Sequence, residues 1–211
     1  MAEIILVRHG ETQWNRETIF RGRADVPLSE RGQEQARLLA AALAGWPVAA
    51  VYTSPLSRAR ETAQPIAEAL GLLVVVDAGL VDMSFGAWEG RSLAEVQQKW
   101  PELYDTWQKA PQHFQAPGGE SLSQVLVRAW PVAEEIAASH KDGTVVIVSH
   151  RVVCKLILCA ALGAGEAGFW RLRQDTAALN LLVRERERWV AARINDTHHL
   201  RPLGLGQQTD F

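Results

Sequence analysis

The chain has 211 residues and a formal net charge of -2, with 22% charged residues, and its isoelectric point lies near 6.3. That length suits one domain with a large core, and the near-neutral balance offers no basic field for nucleic acid or a membrane surface. No apolar run approaches the ~18 to 20 residues of a membrane span and the N-terminus lacks a signal peptide's form, so the chain reads as cytoplasmic.

Ile4-Ile5-Leu6-Val7 reads as a short buried strand. It stops at Arg8-His9-Gly10, which leaves a cation and an imidazole past its carboxyl end. Open α/β sheets bind ligands there. An imidazole at that place can act as a nucleophile while a guanidinium holds an anion against it. The plain alternative is a strand that ends in polar residues. A polar loop over 10–27 carries Arg16, Arg21, Gly22 and Arg23. Ser29 then caps a helix in which Ala36, Leu39, Ala40 and Leu43 recur at helical spacing, with Gly45 as its stop. Ala49 to Tyr52 forms a second strand, ending in Thr53-Ser54-Pro55. A helix over about 56–70 follows, with Arg58 in its first turn and Pro65 expected to kink it. Leu72 to Val76 is the third strand. This βαβαβ order predicts a parallel sheet with helices on both faces.

Residues 77–90 read as a loop, and short helices are predicted over 92–99 and 101–109. Pro111, Pro117, Gly118 and Gly119 break the stretch 110–120. A long helix over 121–140 precedes Thr144 to Ser149, the strongest strand in the chain. That strand ends in His150-Arg151 and a helix over 152–162 follows. Strands near 178–185 and 188–195 flank a turn at Arg186-Glu187 and should form a hairpin. From Arg201 the chain loses periodicity and should be loose. Helical geometry points Cys154 and Cys159 to different sides, so buried thiols are expected rather than a disulfide. The fold class is α/β: a three-layer α/β/α sandwich, mostly parallel with an antiparallel edge. It is read as one domain over 1–211, with a partly helical lid at about 91–120.

Arg8 and His9 follow the first strand, Arg58 follows the second and His150 follows the strong late one. In a parallel sheet these ends share one edge. Two arginines and two histidines around one point make an anion site, and phosphate is its natural guest. The blocks around them are specific. Leu6-Val7-Arg8-His9-Gly10-Glu11-Thr12 with Trp14-Asn15, Pro27-Leu28-Ser29-Glu30-Arg31-Gly32, and Tyr52-Thr53-Ser54-Pro55-Leu56-Ser57-Arg58-Ala59 occur in order. Phe85-Gly86-Ala87-Trp88-Glu89-Gly90, Gly118-Gly119-Glu120-Ser121 and Val148-Ser149-His150 follow. Together they resemble the histidine phosphatase superfamily, in its phosphoglycerate mutase-like branch, over residues 4 to about 162.

The resemblance implies that His9 becomes a phosphohistidine, while Arg8, Arg58 and His150 bind the phosphoryl oxygens. Thr12, Asn15 and the loop at Arg21-Gly22 would line the same pocket. It implies no metal and no other cofactor, and the sequence shows no carboxylate cluster or His-x-x-x-His spacing to hold a metal. The family's proton donor is a glutamate, and matching the loop places Asp82 there, one methylene shorter. Glu89 is the rival, though its setting suits a loop-holding role. Arg21 stands where a small or amide side chain is common, and Arg151 where glycine is frequent. Either both face the pocket and bind a second anionic group, or both are surface arginines. His113 and His140 read as solvated, and His198 and His199 as a polar strand end or a segment folding back to the pocket rim. Trp100 and Trp107 are core residues or walls of the lid.

The function expected is hydrolysis of a small phosphorylated metabolite of the phosphoserine, α-ribazole phosphate, sugar phosphate or phosphoglycerate type. A compact 91–120 segment favours hydrolysis over a cofactor-dependent phosphoglycerate mutase, which needs a well-closed pocket. An inactive phosphometabolite-binding module is the reading from a different class, and the intact Arg8, His9, Arg58 and His150 speak against it. A homodimer is left open.

Overall fold

Strand β1 (Glu3–Arg8) is apolar on both faces because both are covered. Ile4 and Leu6 enter one core with Val145 and Ile147, whereas Ile5 and Val7 enter a second with Val146 and Val148. An unbroken apolar run is what a strand needs with helices on both sides. The computed structural model describes residues 1–204. Its strands β1, β2 (Val48–Thr53), β3 (Val74–Val76) and β4 (Thr144–Ser149) run parallel. Strand β5 (Leu179–Glu185) pairs antiparallel with β1, and β6 (Arg188–Asp196) with β5. The sheet order is β3-β2-β4-β1-β5-β6. This is the sandwich the pattern predicts, antiparallel edge included.

The helices are α1 (Gln13–Arg16), α2 (Glu30–Leu43), α3 (Ser57–Leu70), α4 (Leu93–Lys99), α5 (Pro101–Lys109), α6 (Leu122–Ser139) and α7 (Arg151–Ala161). Helices α2 and α3 cover one face through Leu39, Leu43, Ala63 and Ile66, while α6 and α7 cover the other through Val125, Ala129, Val153 and Ile157. Fully burying a Leu or Ile side chain contributes about 1.5 to 3 kcal/mol, so these two seams hold the sheet. Ser29 caps α2, its hydroxyl accepting from the Gly32 N–H at 3.1 Å. Ser92 and Ser121 cap α4 and α6 in the same way, each with an acidic or amide partner three residues on.

Helix α3 spans Ser57–Leu70 with Pro65 inside it. Other local readings differ from the structure. Strand β3 is only three residues long, and Leu73 before it is 87% exposed. Helix α1 and the 3₁₀ turn Glu166–Arg171 have no counterpart in the apolar pattern. Both are too short for a helical period to show. Residues His198–Leu203 form a further 3₁₀ turn, held by Arg31, whose Nη1 and Nη2 donate to the Leu203 and Gly204 carbonyls at 3.3 and 3.4 Å. The rest of the segment read as a loose tail, 205–211, lies outside the described residues.

The segment 91–120 packs by aromatic contact. Trp107 and Phe114 are fully buried, and their rings meet Phe85 and Phe169 edge-on or tilted. Trp100 is half-buried, with the Lys99 ammonium 4.6 Å from its ring centroid. His140 is half-buried too, its Nε2 3.1 Å from the Tyr52 hydroxyl, whereas His113 is exposed.

Candidate active site

Parallel strands bring their carboxyl ends to one edge, and the four strand-end residues meet there. Arg8 closes β1 and donates from Nη1 to the Gln174 carbonyl. His9 follows it, fully buried. His150 is the N-cap of α7, and its ring centroid lies 5.2 Å from that of His9. Arg58 reaches in from the first turn of α3, buried, donating to the Ala24 and Gly22 carbonyls at 2.8 Å each.

The hydrogen bonds of His9 settle its tautomer. Nδ1 lies 2.6 Å from the Gly10 carbonyl, which can only accept, so the proton sits on Nδ1. Nε2 then carries a lone pair, and it is buried with no hydrogen-bond partner. Burial first, then the charges of Arg58, His150, Arg8 and Arg21, hold the His9 imidazole well below its usual value. The ring is therefore neutral at neutral pH. Its backbone is fixed from behind, where the N–H of Ala177 donates to the His9 carbonyl at 3.1 Å from a left-handed φ of 55°. Such a conformation costs an alanine about 1 to 2 kcal/mol.

His150 is likewise held well below its usual value, by burial and then by Arg58, Arg21 and Arg128. Its Nε2 lies 2.7 Å from Ser54 Oγ, and its Nδ1 stands 3.6 Å from Asp82 Oδ2. With the imidazole neutral, that last contact is dipolar rather than an ion pair.

Asp82 sits in the site. Oδ2 accepts from Arg58 Nη2 at 3.2 Å, and Oδ1 from the Met83 N–H at 2.9 Å. Glu89, the rival, is turned to the loop. Its Oε1 accepts from the Phe85 N–H, the Ser84 hydroxyl and the Arg23 N–H at 2.9, 3.1 and 3.2 Å.

Arg21 and Arg151 are buried, and they line one small pocket together with Gly22, Asp82 and Phe85. Neither is a surface arginine. Nε and Nη1 of Arg21 have no hydrogen-bond partner, and burial followed by Arg8 and Arg58 draws its guanidinium well below the usual value. Arg151 stacks over Trp170 at 5.6 Å. Gly22 has φ +52°, and a Cβ there would run into the Glu89 carboxylate. Only glycine fits that turn, whose carbonyl Arg58 needs.

Thr12 and Asn15 are occupied with each other. Asn15 Oδ1 accepts from the Thr12 N–H and hydroxyl, both at 2.9 Å, which shapes the entry to α1. Sequence reasoning missed Arg128, Gln174 and Ser54 as parts of this site. Arg128 and Gln174 act through backbone carbonyls, which leave no mark in a sequence. Ser54 could have been found, because it follows β2 at the same sheet edge. Among the described residues, no group of three or more His, Cys, Asp or Glu side chains could hold a metal ion.

The comparisons agree with this geometry. A family model described as the histidine phosphatase superfamily (branch 1) matches residues 4–197. Phosphoserine phosphatase 1 of Hydrogenobacter thermophilus is 38% identical over 200 residues, covering 95% of each chain. The metal-independent phosphoserine phosphatase of Arabidopsis thaliana is 32% identical over 212 residues, covering 99% of this chain and 87% of the relative. The solved mycobacterial glucosyl-3-phosphoglycerate phosphatase superposes with a TM-score of 0.87 at 29% identity, covering 93% of this chain and 100% of the other. Motif order, strand-end geometry and these matches all say that the chain belongs to branch 1 of the histidine phosphatase superfamily.

Proposed function

We infer that the chain hydrolyses small phosphomonoesters through a phosphoryl group carried on His9. The observation that carries this is the Nε2 lone pair of His9, buried, unpartnered and ringed by guanidiniums. The phosphoryl oxygens would lie among Arg8, Arg58 and His150. Nε2 attacks phosphorus, the P–O ester bond breaks, and the leaving oxygen takes a proton from Asp82. Water then gives a proton back to Asp82 and attacks the phosphohistidine. The P–N bond breaks and inorganic phosphate leaves. The guanidiniums stabilise charge at both transition states. Hydrolysis rather than mutase chemistry is supported by relatives named as phosphoserine phosphatases and by the compact segment at 91–120.

Arg21 and Arg151 supply a subsite for a second anion. Arg21 and Arg151 line one small pocket with Asp82, and Nε and Nη1 of Arg21 have no hydrogen-bond partner there. A substrate carboxylate would accept from them, as phosphoserine or a phosphoglycerate provides. The segment 91–120 packs behind Arg151, since Trp170, stacked under Arg151, donates from Nε1 to the Trp107 carbonyl at 2.6 Å. The location read is the cytoplasm, where the buried free thiols Cys154 and Cys159 would stay reduced. A second copy of the chain is the remaining partner, favoured by the apolar edge of β3.

The test is phosphate release across a panel of phosphorylated metabolites, beside 3-to-2-phosphoglycerate interconversion. Hydrolysis should dominate, with anionic alcohols preferred over neutral ones. Charge-assisted hydrogen bonds contribute about 1.5 to 3 kcal/mol, so Arg21→Gln with Arg151→Gln should cut that preference roughly ten- to a hundredfold. Interconversion without net release would replace hydrolysis by the mutase reading, and an unchanged preference would remove the subsite.

A further inference from the structure

Arg128, on α6, lies outside every motif that marks the site, yet all five of its N–H groups are engaged there. Nη1 donates to the Gly79 and Val81 carbonyls at 2.9 and 2.7 Å. Nη2 donates to the Asp82 carbonyl at 3.0 Å and to Glu120 Oε2 at 3.1 Å, and Nε to Glu120 Oε1 at 3.0 Å. Glu120 extends the clamp: Oε2 accepts the Ser84 N–H at 2.8 Å and Oε1 accepts Arg23 Nη2 at 3.0 Å. Burial alone would raise the Glu120 carboxyl, but the Arg128 and Ser84 hydrogen bonds outweigh it and the net shift is downward. The carboxylate therefore stays charged and the bidentate pair stays formed. Every carbonyl that Arg128 binds belongs to the loop that delivers Asp82.

We propose that Arg128, fixed by Glu120, is the positioning residue that sets the reach of the Asp82 carboxylate. The proposal rests on Asp82 being the proton donor. An aspartate has one methylene between Cα and its carboxyl, so its oxygens go where its backbone goes. Asp82 Oδ2 stands 3.2 Å from Arg58 Nη2 and 3.6 Å from His150 Nδ1 only while the loop holds that position. A displacement of about 1 Å at a reacting group can cost ~100-fold in rate. A lysine at 128 would keep the charge and lose the fork. A longer acid on the loop could recover reach by its extra rotatable bond.

The test compares kcat/KM for an alkyl phosphate and for p-nitrophenyl phosphate, whose leaving group needs no proton. Both report only steps through alcohol release. Arg128→Lys should lower the alkyl value about 10- to 100-fold and the nitrophenyl value far less. In an Asp82→Glu background the alkyl loss from Arg128→Lys should shrink. Glu120→Gln should reproduce the unequal pattern more mildly, and it serves if Arg128→Lys does not fold. Equal losses on both substrates, or an alkyl loss of the same size in both backgrounds, would overturn the proposal. Asp82→Asn separates the two layers. If it too lowers both substrates equally, the donor assignment falls with the clamp. If it gives the unequal pattern while Arg128→Lys does not, only the clamp falls.

Discussion

His9 and His150 are imidazoles kept neutral inside a ring of guanidiniums, and this makes folding stability depend on pH. Both folded values lie below the ordinary 6.5. Above that value neither folded nor unfolded chain is protonated at these sites. Below it the unfolded chain takes up protons that the folded chain refuses, so stability falls as pH drops. Each histidine contributes a slope of up to about 1.4 kcal/mol per pH unit in that window. Urea unfolding in phosphate-free buffer should show a lower midpoint at pH 5.5 than at pH 7, with the difference reduced in His9→Asn. A difference unchanged by that substitution would take His9 out of the slope and leave it to His150 or to groups elsewhere. At this scale the sequence made legible which residues gather at the strand ends: Arg8, His9, Arg58 and His150 meet at one edge. Asp82, read from the loop it shares with Phe85-Gly86, lies beside Arg58 and His150. The orientation of Arg21 was open until burial placed it in the pocket beside Asp82, because an arginine in a polar loop reads the same whether it faces in or out.

Among the elements, capped helices and buried strands were legible and short connections were not. Ser29 announces α2 because a cap is a local hydrogen bond; Ser92 and Ser121 cap α4 and α6 in the structure, where the sequence reading marks only the helices. The buried strands β1 and β4 announce themselves as apolar runs. Strand β3 is the informative case. Five apolar residues suggested a full strand, yet only Val74–Val76 pair, and only with β2. Leu73, Val75 and Val76 are 87, 45 and 50% exposed on an open sheet edge. An apolar edge is a template for another strand unless something covers it. A second copy pairing β3 to β3 would do so. Light scattering after size exclusion should report a dimer, and Leu73→Lys with Val75→Lys should give monomer without loss of secondary structure. A wild-type monomer at micromolar concentration would end the dimer reading.

Taken whole, the molecule has a net charge of -2 but concentrates cations at one sheet edge. Arg8, Arg21 and Arg58 act on the buried His9 and His150 from that edge, and Arg151 lines the pocket beside Asp82. The fold makes this possible, since parallel strands collect residues some 140 positions apart at one edge. The same cations could replace a divalent ion as the electrostatic partner of a transferring phosphoryl group. The most direct measurement is acid-free trapping of the intermediate: the chain is mixed with ³²P-labelled phosphomonoester in excess chelator and quenched in alkali. The expected result is label bound to wild-type protein, stable in base, lost in acid and absent in His9→Ala. Label retained by His9→Ala, or none trapped without an added divalent ion, would contradict a phosphohistidine on His9.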